Sequence, residues 1–333
     1  MASMQQLNFE DLGKAAEALS LDRLLESSGA RDDDGEEEND DGEPVIGMDE
    51  PLNVIILYPD DWRHDDLQDA NPKIKTPTFT QLAKEGIRFS YNAVTTSICW
   101  ISRATLFSGQ HVSNHGSSYL FRPSFASEPA RWAKSWPALL QKAGYYVGHV
   151  GKWQYHDRDS YRKKNFNWTS YFEGWITQKD KNGVNTDYIA DQAQREAIKF
   201  LQQRPKDVPF ATTVAFYPPK GIFELFNCKP NFTALYDDFV HEEPYDIDAS
   251  YWKLPEFLQY NRTEARARYL YRYEQHGDHI NNTKAQYATL SHLDYVSGQI
   301  IEELKRQGVY NKTMIIVTAD NGEFHGRHAL VRP

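Results

Sequence analysis

Apolar and polar positions follow two patterns along this chain. Short continuous apolar runs predict strands, and longer segments with apolar residues at helical spacing predict helices. Four short apolar runs are typical of buried strands: Leu52–Tyr58, Tyr145–Val150, Phe210–Phe216 and Met314–Thr318. Four longer segments have the spacing of amphipathic helices: Thr76–Glu85, Ser135–Lys142, Tyr188–Gln203 and Thr283–Arg306. Because strands separated by helices pair in parallel, the pattern predicts an α/β fold with a large, mostly parallel central sheet flanked by helices.

The first 48 residues differ from the rest of the chain in composition. Phe9–Leu25 has the pattern of one amphipathic helix, and Asp32–Glu43 holds nine acidic residues and no basic one. The formal net charge of the whole chain is −10, so the remainder is close to neutral. Blocks of like charge are usually solvated and disordered. We therefore predict an acidic, largely disordered region at 1–48 and one folded domain at 49–333, with no support for nucleic-acid binding.

Several features bear on the cellular compartment and point in different directions. No apolar run is long enough for a transmembrane helix, and the N-terminus lacks the pattern of a secretory signal. The two cysteines, Cys99 and Cys228, exclude a disulfide framework but leave one bridge between them open. N-glycosylation sequons favour a glycoprotein of the secretory pathway, unless they are accidental. They begin at Asn167, Asn231, Asn261, Asn281 and Asn311. The localisation stays undecided.

Polar pairs follow the first and the last predicted strands at the point where each strand ends. Asp60 and Asp61 come after the first strand, and Asp320 and Asn321 after the last. If these strands are neighbours, three carboxylates and one amide meet at one edge of the sheet, where a cation would relieve their repulsion. Oxygen ligands select Ca²⁺ or Mg²⁺. The alternative is that each pair merely caps the following turn or helix.

A second candidate site lies at Cys99–Gly109, CWISRATLFSG. Ser102 has the character of a helix N-cap, and Arg103 follows Cys99 by four residues, which places both on one helix face. A helix N-terminus beside an arginine forms an anion site and activates a nucleophile placed there. The alternative is a buried structural cysteine.

The same stretch resembles the sulfatase motif, in which Cys-x-Pro/Ala-x-Arg precedes a helix ending in Thr/Ser-Gly. Other sulfatase landmarks recur in order over about residues 50–331. They are the Asp60–Asp61 pair, Gly151-Lys152-Trp153, the span from Tyr287 through Asp294 and Gly308 to Asn321, and then Gly326, His328 and Leu330. The resemblance implies a sulfatase of the alkaline-phosphatase-like superfamily, with the corresponding fold.

This resemblance also implies a role for each matching residue. The implied ligands of a divalent cation, Ca²⁺ or alternatively Mg²⁺, are Asp60, Asp61, Cys99, Asp320 and Asn321. The implied catalytic residues are Cys99, Arg103, Lys152, His156, Lys220 and His328. A separate formylglycine-generating enzyme would oxidise Cys99 to formylglycine, whose hydrated aldehyde supplies the attacking oxygen. Arg103 would stabilise that group and Lys152 the sulfate oxygens.

Three positions depart from the sulfatase pattern. Ile101 stands where the modifying enzyme usually meets Pro or Ala, and Gln154 replaces the histidine after Gly-Lys-Trp. His156, two residues further on, is the candidate substitute for that histidine. Lys220 stands where many relatives carry a histidine, and a cation with a high pKa is a poor proton donor.

The chain stops at Pro333, whereas sulfatases usually continue through a further active-site lysine into a smaller C-terminal subdomain. We therefore expect a C-terminally truncated sulfatase domain with exposed sheet edges. The first functional hypothesis is a sulfuric ester hydrolase acting on a sulfated carbohydrate or similar ester. The alternatives are an inactive relative that binds metal or a sulfated ligand, and a phosphoesterase of the same superfamily.

Overall fold

The computed structural model describes residues 51–117, 128–154, 165–172, 177–179, 185–220, 228–239, 247–259, 263–275 and 279–331. Region 1–48, with its predicted helix and acidic linker, lies outside the described residues, and so does His156. Among the helices of the described part, none has the length and apolar character needed to cross a membrane.

The central sheet is built from parallel strands. Its members are β1 (Asn53–Asp60), β2 (Tyr146–Gly151), β3 (Trp168–Ser170), β6 (Phe210–Pro219) and β7 (Thr313–Val317). Their order is β3-β2-β6-β1-β7, and each neighbouring pair is parallel. A separate antiparallel ribbon pairs β4 (Thr177–Lys179) with β5 (Asn185–Tyr188). The predicted parallel sheet and its four predicted strands are confirmed. The three-residue strand β3 is not among the predicted strands.

The helices of the described residues include all four predicted ones. In chain order they are α1 (Pro77–Glu85), α2 (Cys99–Ser108), α3 (Val112–His115), α4 (Pro129–Trp132), α5 (Trp136–Lys142), α6 (Ile189–Gln203), α7 (Pro230–Thr233), α8 (Ile247–Tyr251), α9 (Glu256–Gln259), α10 (Glu264–Tyr269) and α11 (His279–Arg306). A π-helical turn covers Leu270–Gln275, and short 3-10 turns cover Ala234–Tyr236, Tyr310–Lys312 and Arg327–Ala329. Helix α11 begins four residues earlier than its apolar spacing predicts.

The alternation of side chains along β1 creates two cores, one on each face of the sheet. Ile55 and Leu57 pack into the larger core with residues of α6 and α11. Ile56 and Tyr58 point to the opposite face, where α2 and α5 contribute partly buried side chains. The fold therefore has three layers, and α2, which carries Cys99, lies on the second face.

Asp294 on α11 has a structural role that its place among the sulfatase landmarks did not reveal. The N-cap residue of α1, Thr76, makes no capping hydrogen bond with its side chain. Instead the Asp294 carboxylate accepts from the backbone N–H groups of Thr78 at 3.0 Å and Phe79 at 2.8 Å. Asp294 thus caps α1 from a distant helix and fastens α1 to α11.

Both cysteines are free thiols, so the bridge that the sequence left open is not formed. Cys228 is buried and donates to the carbonyl oxygen of Ala285 at 3.4 Å. Among the described residues, β7 is an outer strand of the sheet, and its Met314 is 49% exposed and its Ile316 36% exposed.

Candidate active site

The polar pairs after β1 and β7 meet because these two strands are neighbours in register, with Leu57 beside Val317. The Asp61 backbone N–H donates to Asp320 Oδ1 at 3.1 Å, which ties the two strand ends together. Asp61 itself has a positive φ of 60°, a sharp turn in the left-handed region directly after the strand. All four side chains of the pairs are buried, with at most 2% exposed.

Cys99 lies at the first residue of α2, directed at these carboxylates. Its Sγ donates to Asp60 Oδ1 at 3.2 Å and lies 3.9 Å from Asp61 Oδ1. The prediction that Ser102 caps this helix is wrong, because the extended residue Ile98 is the N-cap and accepts from the Ser102 backbone N–H at 2.9 Å. Ser102 is instead buried within the first turns of α2.

Arg103 lies one turn after Cys99 and is held by several partners. Its Nη2 donates to Asp320 Oδ2 at 2.9 Å, and its Nη1 donates to the Lys152 carbonyl oxygen at 3.3 Å. The guanidinium also lies over the ring of Tyr58, 4.9 Å from its centroid. Arg103 is therefore a preorganised buried cation on the same side of the helix as Cys99.

Two lysines complete the cationic part of this group. Lys152 forms a buried ion pair with Asp60. Lys220, the first residue after β6, donates from Nζ to Asp61 Oδ2 at 2.7 Å and to Cys99 Sγ at 3.1 Å. The Lys220 backbone N–H also donates to the Asp60 carbonyl oxygen at 3.1 Å, so the residue that follows β6 is anchored to the end of β1.

Gly151 permits the approach of Lys152 to this group. It has a φ of 88°, and a Cβ at this position would lie 2.2 Å from the Ala215 carbonyl oxygen. That carbonyl accepts from the Lys152 backbone N–H at 2.9 Å. Any side chain at Gly151 would thus push apart the strand ends that deliver Lys152.

The side chains present fit a hard divalent cation. One ligand atom from each of Asp60, Asp61, Cys99 and Asp320 lies within 4.8 Å of the others. Asn321 donates its amide hydrogens to Asp61 and to the Gly322 carbonyl oxygen, and leaves Oδ1 buried with no hydrogen-bond partner among the described residues. The Asn321 amide oxygen is thus a buried hydrogen-bond acceptor that receives no hydrogen bond from the described residues, and it lies beside three carboxylates. Such a group of oxygen atoms is the set of ligands that Ca²⁺ or Mg²⁺ prefers.

The protonation of the group follows from burial and charge. Burial, and then the charge of Asp60, raises the pKa of Asp320 to about 6. Burial alone would raise the pKa of Asp60, but Lys152 and Lys220 outweigh it and lower that pKa. Burial and the nearby charges of Asp320 and Asp60 raise the pKa of the Cys99 thiol to about 12. The unmodified thiol is therefore protonated at neutral pH and is a weak nucleophile.

A family model described as Sulfatase matches residues 52–331 of the chain. The chain belongs to the sulfatase family. Human N-sulphoglucosamine sulphohydrolase is 27% identical over 282 residues, an alignment that covers 82% of this chain and 51% of that protein. The sulfatase-family chain thus spans about half the length of this curated relative.

Two solved structures share the fold of this chain at low sequence identity. One is a protein in complex with its substrate, D-glucosamine-2-N,6-O-disulfate, with a TM-score of 0.63, 19% identity, and coverage of 85% of this chain and 68% of that chain. The other is the phosphonate monoester hydrolase of Agrobacterium radiobacter, with a TM-score of 0.60, 17% identity, and coverage of 84% and 64%.

The structure brings together most of the predicted site residues of this sulfatase-family chain, but not all. The side chains that meet are Asp60, Asp61, Cys99, Arg103, Lys152, Lys220, Asp320 and Asn321. His328 is exposed and packs its ring edge-on against Phe324, with centroids 6.2 Å apart. Within the described residues, His328 forms no hydrogen bond or ion pair with the carboxylate group.

Two further residues support the site and were missed by sequence reasoning. His149 Nε2 lies 3.2 Å from the Lys152 carbonyl oxygen, and since a carbonyl only accepts, that nitrogen carries the proton. The same oxygen accepts from Arg103. Tyr58 lies under the Arg103 guanidinium. The signal available for both was weak: each is a polar-tipped residue near the carboxyl end of a buried strand.

Proposed function

We propose that this chain hydrolyses sulfate esters with a nucleophile made from Cys99 beside a divalent cation. The observation that carries the proposal is the position of Cys99. It lies at the N-terminus of α2, 3.2 Å from Asp60 and 3.1 Å from Lys220, where three carboxylates and three cationic side chains converge. We assign the catalytic role to residues 49–333 and treat 1–48 as a separate acidic region.

The proposed metal ligands are Asp60, Asp61, Asp320, Asn321 and the modified Cys99 side chain. The unpartnered Asn321 Oδ1 and the three clustered carboxylates support this assignment. When bound, Ca²⁺ (or Mg²⁺) would supply Lewis-acid polarisation of an oxygen in this group. The remaining steps depend on the chain's own residues.

Cys99 requires conversion before it can serve as the nucleophile. Its thiol has a pKa of about 12 and stays protonated in this group. A formylglycine-generating enzyme is therefore a proposed partner, and formylglycine at this position would supply a hydrated aldehyde oxygen as the attacking group. Ile101, the departure from the family motif, is buried, with 3% of its surface exposed. Because Ile101 is two positions from both Cys99 and Arg103, its side chain lies on a different face of the helix.

The cationic side chains would bind and orient the sulfate group. Arg103 is fixed by Asp320 and by the Lys152 carbonyl oxygen, so its guanidinium needs no reorganisation when charge develops on an oxygen nearby. Lys152 and Lys220 would bind sulfate oxygens. The carboxylates of Asp60 and Asp61 raise the pKa of Lys220 against the effect of burial. Lys220 therefore stays protonated and does not act as a proton donor.

Sulfated amino sugars are the first substrates to test. The human relative is named for N-sulphoglucosamine, and the solved neighbour holds D-glucosamine-2-N,6-O-disulfate. A catalytically inactive, ligand-binding relative is the second candidate, favoured by Gln154 and Ile101 at motif positions. The fold shared with a phosphonate hydrolase makes phosphate and phosphonate esters necessary comparison substrates.

The test is release of inorganic sulfate by chain co-produced with a formylglycine-generating enzyme. The substrates are N- and O-sulfated glucosamine, with matched phosphate and phosphonate esters, each in CaCl₂ and in EGTA. We expect sulfate release that disappears in EGTA and in Cys99→Ala. Faster turnover of the phosphate or phosphonate ester would replace the proposal with the esterase alternative. Metal-dependent ligand binding without release from converted protein would favour the inactive relative.

A further inference from the structure

Each carboxylate of the candidate metal site already has a cationic partner within the chain. Asp320 pairs with Arg103 at 2.9 Å, Asp60 pairs with Lys152, and Asp61 pairs with Lys220 at 2.7 Å. The formal charges of these six groups cancel. A divalent cation entering the group would add two positive charges beside three existing ones, so it must compete with at least one of them.

The three cations differ in their freedom to move. The side chains of Arg103 and Lys152 are each 1% exposed, whereas that of Lys220 is 14% exposed. Arg103 is further held by the Lys152 carbonyl oxygen and the Tyr58 ring. Lys220 has a flexible four-carbon side chain at the solvent-facing side of the group. Lys220 is therefore the cation that can move away from the carboxylates with the smallest loss of stabilising contacts.

Lys220 also stands among the atoms that a metal would need. Its Nζ lies 2.7 Å from Asp61 Oδ2, 3.5 Å from Asp60 Oδ1 and 3.1 Å from Cys99 Sγ. These three side chains belong to the group whose ligand atoms lie within 4.8 Å of one another. An ammonium group bound to the same oxygens is a direct competitor for a metal ion.

We propose that Lys220 is an exchangeable internal counter-cation, which neutralises Asp60 and Asp61 in the metal-free site and is displaced when a divalent cation binds. This inference rests on the proposed function, because it presupposes that the carboxylate group binds metal. It predicts that Lys220 weakens metal affinity. It also gives Lys220 a second position, released from Asp61 and available to a sulfate oxygen once the metal is in place.

The test is isothermal titration of CaCl₂ into EGTA-treated, dialysed protein without substrate. The variants are Lys220→Met, which keeps the side-chain length without the charge, and Lys220→Arg, which keeps the charge. Lys84→Met removes an equal charge from the exposed last turn of α1. We expect Lys220→Met to lower the Kd for Ca²⁺ on the order of tenfold or more. The other two variants should stay within about threefold of the wild type.

A second readout covers the case in which Lys220→Met is unstable without metal. Lys220→Gln, which carries no charge at any pH, should also bind Ca²⁺ more tightly than the wild type. Its thermal midpoint should rise more steeply with Ca²⁺ concentration, because a ligand stabilises the folded state according to its affinity.

The outcomes separate this inference from the function on which it rests. Tighter binding in both neutral variants supports the exchange of Lys220 for metal. Equal or weaker binding than in the wild type overturns the inference and leaves the metal site standing. No binding of Ca²⁺, or of Mg²⁺ titrated in the same way, in any variant overturns both the inference and the proposed function.

Discussion

Arg103 and Asp320 form an ion pair with an Nη2–Oδ2 distance of 2.9 Å, and neither side chain is more than 1% exposed. The pair joins the helix that carries Cys99 to the residue that follows β7. Two parts of the candidate site that are 217 positions apart in sequence are thus locked together by one contact. The same contact holds the charge of Arg103 in place before any substrate arrives.

Loss of this pair should cost stability as well as activity. Arg103→Ala leaves a buried carboxylate without its partner, so we expect the free energy of unfolding to fall by about 3 kcal/mol. Urea unfolding in EGTA measures this. The control is Arg88→Ala, which breaks an ion pair with Asp69 whose side chains are 38% and 31% exposed and should cost less than about 1 kcal/mol. Equal losses in the two variants would contradict the role given to Arg103.

Gly151 should tolerate no side chain. Gly151→Ala places a Cβ against the Ala215 carbonyl oxygen at a φ of 88°, so the strand ends must separate and Lys152 must shift. Gly109 is the matched control because its φ is 64° but no atom lies within 4 Å of its added Cβ. We expect Gly109→Ala to cost about 1 kcal/mol from backbone conformation alone. Gly151→Ala should cost clearly more, measured by chemical unfolding, and should also reduce sulfate release.

The ionised side chain of Asp191 should stabilise the folded protein, and this contribution should be lost in strongly acidic solution. Burial would raise its pKa, but hydrogen bonds and charge from His292 and Lys229 outweigh this and lower it to about 2. The unfolded value is about 3.9. Because the folded pKa is the lower one, the contribution is complete above about pH 4 and is lost as the pH falls towards 2.

Asp191→Asn tests this linkage. Wild-type stability should fall more steeply than that of the variant between about pH 4 and pH 2, by about 1 kcal/mol after allowance for partial exposure. Urea midpoints at several pH values provide the measurement. Asp207→Asn, at an exposed position, controls for the loss of a carboxylate. Parallel curves for wild type and Asp191→Asn would show that the ion pair contributes nothing.

The contribution of Asp294 to stability should depend on pH in the opposite direction from that of Asp191. Burial raises the pKa of Asp294 to about 6, against the lowering effect of the Phe79 and Thr78 backbone N–H groups. Because the folded pKa exceeds the unfolded one, the contribution is present below about pH 4 and is lost as the pH rises through about 6. Asp294→Asn should abolish this dependence between about pH 4 and pH 6. A pH-stability profile unchanged by the substitution would be inconsistent with this account.

The sequence was most informative where local pattern and topology agree. The apolar runs located the four main strands because a buried parallel strand needs a continuous apolar stretch. Asp60 and Asp320 could be brought together in advance, since the carboxyl ends of neighbouring parallel strands share one edge. The short strand β3 carried no such signal. Its three residues acquire their pairing from β2, which only the tertiary structure supplies.

Other features depend on contacts that no local pattern encodes. The side chain of Ser102 suits an N-cap, yet the extended Ile98 begins the helix one turn earlier and Ser102 is buried within it. The ion pair of Lys220 with Asp61 requires the end of β6 to meet the end of β1. Likewise, the pairing of Asp191 with His292 depends on how α6 packs against α11.

The measurement that most directly tests the central claim is sulfate release as a function of the converted fraction of Cys99. Peptide mass spectrometry gives the fraction in which sulfur has been lost and an aldehyde formed. Preparations from hosts with and without the formylglycine-generating enzyme provide the range. The account predicts release in proportion to that fraction and none from Cys99→Ala. Sulfate release by protein with an unmodified thiol, or by Cys99→Ala, would contradict it.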